Sequence, residues 1–103
     1  LFDRREGRME FEAEIWKSGG VGGWHFVTLP ADLGFRIKAE SGFDGPGWGM
    51  VKVRATIGET TVETSVFPDK NSGSYVLPLK ASVRKAARLA AGDTIRVRLE
   101  IIA

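Results

Sequence analysis

The amino-acid sequence predicts an all-β protein, a six-stranded closed β-barrel with one or two short helices. Two segments carry this prediction, residues 50–57 and 94–101, because apolar and polar side chains alternate strictly along both. A period of two is typical of a strand that packs one face on a core and turns the other face to water. The 13 glycines gather in the connections, as expected for a chain with many turns.

Length and composition limit the alternatives. A chain of 103 residues fits one domain. No apolar run approaches the ~20 residues of a membrane helix, and there is no cysteine for a disulfide or a thiolate zinc site. We therefore expect a cytoplasmic protein with no membrane association and no cofactor. Because Met9 opens the first periodic segment, we expect residues 1–8 to be an extension or a vector remnant and residues 9–103 to form the domain.

Local patterns predict the individual elements. Six strands are expected, at residues 9–16, 24–29, 50–57, 60–67, 75–79 and 94–102. Pro78 predicts that the fifth is an edge strand or a strand end, since proline has no amide to donate. A first helix is expected at 30–39, where Gly34 costs ~1 kcal/mol relative to alanine. A second is expected at 80–91, with Ser82 as its N-cap and Gly92 closing it.

The predicted elements repeat along the chain. Residues 12–35 align without a gap on residues 63–86, a shift of 51, and each copy has a glycine-rich connection of the same length. The shift falls to 44 after the helix, because the first half carries additional residues around 41–48. Each half therefore reads strand, loop, strand, helix, strand. Three strands cannot bury their own apolar face, so two such halves are expected to close one barrel about a pseudo-twofold axis.

Four segments carry a resemblance to a known family: residues 9–16, Gly-Gly-Trp-His-Phe-Val-Thr-Leu-Pro at 22–30, Leu-Pro-Leu-Lys-Ala-Ser-Val-Arg-Lys-Ala at 77–86 and Gly-Asp-Thr-Ile-Arg-Val-Arg-Leu at 92–99. Over residues 9–102 the chain resembles a bacterial family of small β-barrels, a domain of unknown function. In larger proteins that domain often precedes an OmpD-associated domain of the bacteriocin-protection type. The resemblance implies a closed six-stranded barrel and brings no known activity or catalytic residues. Residues 77–99 are also similar to swapped-hairpin transition-state regulators of the AbrB type, which are DNA-binding dimers.

Aromatic residues at strand ends and in loops are the first candidates for a site. In the aligned halves Trp16 matches Phe67 and Trp24 matches Tyr75, which favours two symmetry-related aromatic plugs in the barrel ends. The alternative is an aromatic-rimmed pocket at one barrel mouth, with His25 or Lys17 as polar groups. That pocket adds two aromatic side chains from the unduplicated insert, Phe43 and Trp48.

Charged residues are unevenly distributed. Residues 1–58 carry equal numbers of basic and acidic side chains, so the whole net charge of +2 comes from residues 59–103. Four cations recur at helical spacing in the second predicted helix: Lys80, Arg84, Lys85 and Arg88. Together with Arg96 and Arg98 they suit an anionic partner, although a solvated helix face is the simpler interpretation.

Acidic residues follow one face of the first predicted strand: Glu10, Glu12 and Glu14. Paired carboxylates do acid–base work when they are buried. On an outward face they are more simply partners for cations on neighbouring strands. The expected partners are Lys52, Arg54, Arg96 and Arg98.

The sequence contains no motif typical of an enzyme. The glycine loop at 19–23 lacks the Gly-Lys-Ser/Thr of a P-loop, and His25 is the only histidine, which leaves no His-based metal cluster. We therefore expect no catalysis and no bound metal. The first hypothesis is a non-catalytic binding module for a small molecule, peptide or partner domain at the aromatic mouth. The second is a nucleic-acid-binding protein that uses residues 80–98 as a dimer.

Overall fold

A computed structural model describes residues 8–20, 23–40 and 49–102. Seven strands and two helices follow in chain order: β1 (Arg8–Glu14), β2 (Trp16–Lys17), β3 (His25–Thr28), α1 (Ala31–Glu40), β4 (Val51–Ile57), β5 (Thr60–Asp69), β6 (Ser74–Pro78), α2 (Ala81–Ala87) and β7 (Thr94–Ile101). Neither helix within these ranges is long and apolar enough to cross a bilayer.

The alternating segments form strands with one buried face, as predicted. In β4 and β7 the apolar positions point into the core, with Val53, Val97 and Leu99 all fully buried, while Lys52 and Arg98 are exposed. β3 and β6 contribute Val27 and Leu77 to the same core. Burying a side chain of this size stabilises the fold by ~1.5–3 kcal/mol. The shared inner face therefore explains why the strands pack around one core.

The strands form one curled sheet of order β1-β7-β4-β5-β6-β3-β2. This confirms a mostly β fold with two short helices, but the predicted closed six-stranded barrel is wrong: the sheet is a seven-stranded, curled half-barrel. The physical reason lies at Ile15, which interrupts the first predicted strand. Its amide donates to Asp93 O at 2.8 Å and its carbonyl accepts the amide of Gly92 at 2.8 Å. These bonds continue the β1–β7 register, whereas the two residues after Ile15 form β2 and pair with β3, at the opposite end of the strand order.

Strand β6 lies inside the sheet, between β5 and β3, so the prediction of an edge strand is wrong. Pro78 is tolerated there because it is the last residue of the strand, opposite Phe26. The amide of the next residue, Leu79, donates to His25 O at 2.9 Å and continues the ladder. The alternative that the prediction left open, a strand end, is the one observed.

Helix α1 approaches the sheet closely at Gly34. A β-carbon on Gly34 would lie 2.1 Å from Ser74 Oγ and 3.1 Å from the Ser74 Cα, so no other residue fits without a shift of the backbone. Ser74 is itself 2% exposed, and its hydroxyl donates to Pro30 O at 3.4 Å. The glycine that weakens the helix locally is therefore the residue that lets the helix pack on β6.

Helix α2 is shorter than predicted, and both predicted caps are wrong. Its N-cap is Lys80, which makes no side-chain capping bond, whereas Ser82 lies inside the helix. The helix ends before Gly92, at Arg88, which adopts a left-handed conformation with φ 59°. The Leu89 amide donates to Arg84 O at 2.8 Å, the bond that closes a Schellman motif. An arginine thus takes the position that usually belongs to glycine.

The order of elements in the two halves matches the predicted order: strand, connection, strand, helix, strand. In the first half the opening strand is divided into β1 and β2, and in the second it is the long strand β5. An internal duplication stays a prediction from the sequence.

An aromatic groove on the outer face of the sheet

The outer face of β3 carries the aromatic residues, because side chains alternate along a strand. Val27 points into the core and is fully buried, so Trp24, Phe26 and Thr28 point outward. Across the ladder, Phe26 lies opposite Trp16 on β2 and opposite Pro78 on β6. These registers bring apolar side chains from three strands into one row on the outer surface.

Ring packing fixes part of this row. The Trp16 and Phe26 ring centroids are 4.9 Å apart at 33°, and the Trp24 ring stacks on Phe26 at 6.4 Å and 15°. The Trp16 indole Nε1 also donates to Thr28 Oγ1 at 2.9 Å, which holds that ring in place. Trp24 is 61% exposed, compared with 39% for Trp16. The row therefore consists of two rings held by their neighbours, Trp16 and Phe26, and of the more exposed indole of Trp24.

A groove of about 740 Å³ runs beside this row and is open to solvent. Its lining comes from the connection after β2, from β3, β5 and β6, and from the N-cap of α2. The lining residues are Ser18, Trp24, Phe26, Thr64, Ser65, Phe67, Pro78 and Lys80. Among these described residues Lys80 is the only charged one, and three hydroxyls and the indole N–H of Trp24 supply the other polar side-chain groups. This groove therefore suits a flat or apolar group that carries a negative charge near Lys80.

Two of the predicted site residues lie on the other side of the sheet. Tyr75 is 2% exposed and belongs to the core, and burial raises the pKa of its phenol. His25 alternates with Phe26, is Cα partner of Lys17 and is half-buried. Its Nδ1 is buried and accepts or donates no hydrogen bond in the described part of the chain. The structure thus brings together Trp16 and Trp24 and separates both from Tyr75 and His25.

Phe43 and Trp48, which the sequence placed at a barrel mouth, lie outside the described residues. The groove itself is on the outer face of the sheet, with Trp24 and Phe26 at its wall. In residues 8–20, 23–40 and 49–102 no group of three or more histidines, cysteines or carboxylates is arranged to hold a metal ion.

The basic residues near α2 differ in their surroundings. The Arg84 guanidinium is half-buried and its Nε donates to Leu79 O at 3.1 Å. Lys80, Lys85 and Arg88 are exposed, and none of the three forms an ion pair with another residue in the described ranges. Only Arg84 and Lys85 belong to the helix itself. Three cations at this end of the molecule are therefore open to solvent.

The strand arginines are largely matched by carboxylates. Arg96 lies 3.5 Å from Glu10 and 3.1 Å from Glu12, which confirms the predicted pairing for this arginine. Arg54 does not pair with the β1 glutamates. It binds Glu63 at 2.9 Å and Glu100 at 3.1 Å, and its hydrogen bonds to these two carboxylates raise the pKa of its guanidinium. These ion pairs occupy the outer face of β4 and β7, away from the groove.

Most of the groove lining could not be predicted from the sequence. The sequence does carry a signal for two lining residues: Phe26 shares a strand face with Trp24, and Phe67 aligns with Trp16. Pro78, Thr64 and Ser65 carry no such signal, because their place depends on the register of β5 and β6. Lys80 was assigned to a separate basic patch, and the fold brings it to the aromatic row.

A family model described as Domain of unknown function (DUF1905) matches residues 11–99. No curated protein matches the chain. The match confirms the resemblance to a domain of unknown function; the neighbouring OmpD-associated domain stays a prediction.

Proposed function

The chain belongs to the DUF1905 family of domains of unknown function, and we propose that it is a non-catalytic binding module whose ligand occupies the aromatic groove. The observation that carries this proposal is the 61% exposure of Trp24 beside a groove of about 740 Å³. A large exposed aromatic side chain next to other apolar surface is typical of an interaction site. Because Trp24 stacks on Phe26, its ring is held in place before any ligand arrives.

Preorganisation favours binding in this groove. Trp16 is fixed by its hydrogen bond to Thr28 and by Phe26, so little side-chain entropy is lost when a ligand covers the row. The hydroxyls of Ser18, Thr64 and Ser65 offer donors and acceptors along the groove. A ligand with a flat apolar body could cover the aromatic row, and a few polar groups on it could form hydrogen bonds with these hydroxyls.

The groups that line the groove support the proposal of a non-catalytic role. Among the described residues of the lining, Lys80 is the only titratable side chain, and His25 faces the opposite side of the sheet. Nucleophilic catalysis needs a nucleophile and a base within hydrogen-bond reach of each other. A cytoplasmic location and a small molecule, peptide or partner domain as ligand belong to the same proposal.

A fragment screen followed by ¹⁵N–¹H correlation spectroscopy tests the proposal. We expect compounds with a flat aromatic or aliphatic body to shift the indole signal of Trp24 and the amides of Thr64 and Ser65. Trp24→Ala should abolish the shifts of the Thr64 and Ser65 amides, while Phe35→Ala, at a more exposed aromatic residue on α1 (76% exposed), should leave all of the shifts unchanged. Binding that shifts signals elsewhere and leaves the groove signals in place would contradict the proposal.

A nucleic-acid-binding dimer that uses residues 80–98 is the second candidate. The exposure of Lys80, Lys85 and Arg88, without ion pairs in the described ranges, favours it. Such a protein should bind duplex DNA with an affinity that falls steeply with salt. Absence of duplex binding at 20–50 mM salt, or a monomer at every concentration tested by analytical ultracentrifugation, would exclude it.

A further inference from the structure

We propose that the ligand of the aromatic groove is a single-stranded nucleic acid, with bases stacked on the aromatic row and phosphates at the cations of α2. This inference rests on the proposed function and names the ligand class for the same site. It also joins two features that are separate in the sequence. The aromatic residues lie at the start of β3 and on β5, whereas the exposed cations lie in the segment from Lys80 to Arg88.

The first step is the charge of the groove. Lys80 lines it together with seven uncharged residues, and no acidic side chain is among them. From the described residues of the lining, a ligand in this groove therefore meets one positive charge and no negative charge. Charge complementarity favours a ligand with an anionic group at the end of the groove where α2 begins.

The second step is the continuation of positive charge beyond Lys80. Helix α2 starts at the next residue and packs beside β5, the strand that supplies Thr64, Ser65 and Phe67 to the groove. Lys85 and Arg88 are exposed on and after this helix, and residues 81–92 contain no acidic residue. An anionic ligand that continues past Lys80 thus finds further cations, which favours a chain of phosphates over a single anion.

The third step is the shape of the apolar surface. Trp24 is 61% exposed and Phe67 is 41% exposed, and Phe26 and Pro78 line the same groove. Every nucleobase has a flat π-face, and stacking on an aromatic side chain contributes to binding regardless of sequence. Bases within a duplex already stack on one another, so they cannot cover these rings. The combination of open rings and adjacent cations therefore favours a single strand over a duplex.

Fluorescence anisotropy with labelled 12-nucleotide strands, oligo-dT and oligo-U, tests this inference at 20–300 mM salt. A duplex of the same length is the comparison. We expect both single strands to bind more tightly than the duplex, with an affinity that decreases as salt increases. Trp24→Ala should weaken single-strand binding roughly 5- to 100-fold. Lys80→Ala should weaken it and reduce the slope of log affinity against log salt by about one.

Two variants control for exposure and charge alone. Phe35→Ala removes an exposed aromatic side chain on α1, and Lys70→Ala removes an exposed cation in the turn between β5 and β6. Both should bind single strands within about twofold of the unchanged protein. Circular dichroism and thermal unfolding establish that each variant is folded.

The outcomes separate this inference from the proposed function. If no oligonucleotide binds at 20 mM salt while fragments still shift the Trp24 signal, the groove is a binding site and the single-strand inference is wrong. If neither oligonucleotides nor fragments bind at the groove, both are wrong. Preferential duplex binding that Trp24→Ala leaves unchanged would overturn this inference in favour of the dimeric patch.

Discussion

Strands β3 and β6 pair with each other and contribute equally to the core, but their outer faces differ. Val27 on β3 and Leu77 on β6 are direct partners and both are fully buried. On the outside, β3 carries Phe26 and is preceded by the open Trp24, whereas the outer residues of β6, Ser74 and Val76, are 2% and 8% exposed. The inner faces are alike, so the difference comes from what lies over the outer faces.

Two small residues account for the covered face. Helix α1 packs on β6 where Gly34 meets Ser74, with room for no side chain larger than hydrogen on the helix. The inward residues Val27 and Leu77 are 50 positions apart, as are the first residues of the helices, Ala31 and Ala81. The same offset relates Ser74 to Trp24 and Gly34 to Arg84.

The residues 50 positions away from Ser74 and Gly34 are therefore large: Trp24 takes the place of the serine, and Arg84 takes the place of the glycine. Arg84 and Trp24 cannot meet as Gly34 and Ser74 do, and α2 instead packs beside β5. We infer that this replacement leaves the groove open.

The largest expected effect tests the inner faces. Leu77→Ala should lower the free energy of unfolding by about 3 kcal/mol, because it leaves a cavity in the core. Phe67→Ala, on the outer face and 41% exposed, should cost less than about 1 kcal/mol. Urea denaturation measures both. Equal costs for the two variants would show that the outer face is as important for folding as the inner face.

A smaller effect tests the contact that closes β6. Gly34→Ala should lower the free energy of unfolding by about 2 kcal/mol, since overpacking against Ser74 outweighs the ~1 kcal/mol that alanine gains in a helix. Gly19→Ala is the control, because nothing lies within 4 Å of the added β-carbon. If Gly34→Ala is as stable as the unchanged protein, α1 does not depend on this close approach. In the double variant with Ser74→Gly, part of the loss should be recovered.

The end of α2 provides a stabilising prediction. Arg88 has φ 59°, a conformation that costs a residue with a side chain roughly 1 kcal/mol. Arg88→Gly should therefore raise the free energy of unfolding by about 0.5–1 kcal/mol, measured as an increase in Tm. Lys85→Gly, inside the helix, should decrease it by about 1 kcal/mol. A loss of stability in Arg88→Gly would mean that the arginine side chain contributes more than its backbone conformation costs.

The pH dependence of Tyr75 tests the contrast between the buried tyrosine and the open Trp24. Burial raises the phenol pKa above its ordinary value of 10.0, because the charged form is poorly solvated. The neutral form therefore favours the folded state, and this contribution is present below pH 10 and is lost as the pH rises through the folded pKa. Tyr75 is the only tyrosine, so absorbance at 295 nm follows it directly. Tyr75→Phe should reduce the decline in stability above pH 10, and an identical decline in both proteins would contradict a buried phenol.

The sequence predicted the strands well because their signal is local. Alternation places the β4 and β7 residues on the correct faces, and it also shows that Trp24 and Phe26 share a face. The ungapped shift of 51, however, aligns Trp24 with Tyr75, which face opposite sides of the sheet. A one-residue change of register moves every side chain to the other face. Residue type alone does not reveal that change, because both positions are aromatic.

The groove was less predictable because it depends on distances between elements. Pro78 joins it through the register of β6 against β3, and Lys80 through the short connection into α2. The division of the first strand at Ile15 also depends on distant pairing, since Ile15 bonds to residues 92 and 93 and the next two residues pair with β3. The end of α2 was not predicted either, since Arg88 takes the left-handed conformation although Gly92 is the better local candidate.

The position of β1 and β2 at opposite ends of the strand order has a consequence for how the chain folds. β1 pairs with β7, across a sequence separation of 80 to 92 residues, while β4 and β5 form a hairpin over the two residues 58 and 59. Closing the long loop costs more chain entropy than closing the hairpin. We therefore expect the β4–β5 hairpin to form early and the β1–β7 ladder to be the slow step, as is usual for sheets dominated by distant pairs. A chain emerging from the ribosome completes this sheet only after β7 has been synthesised.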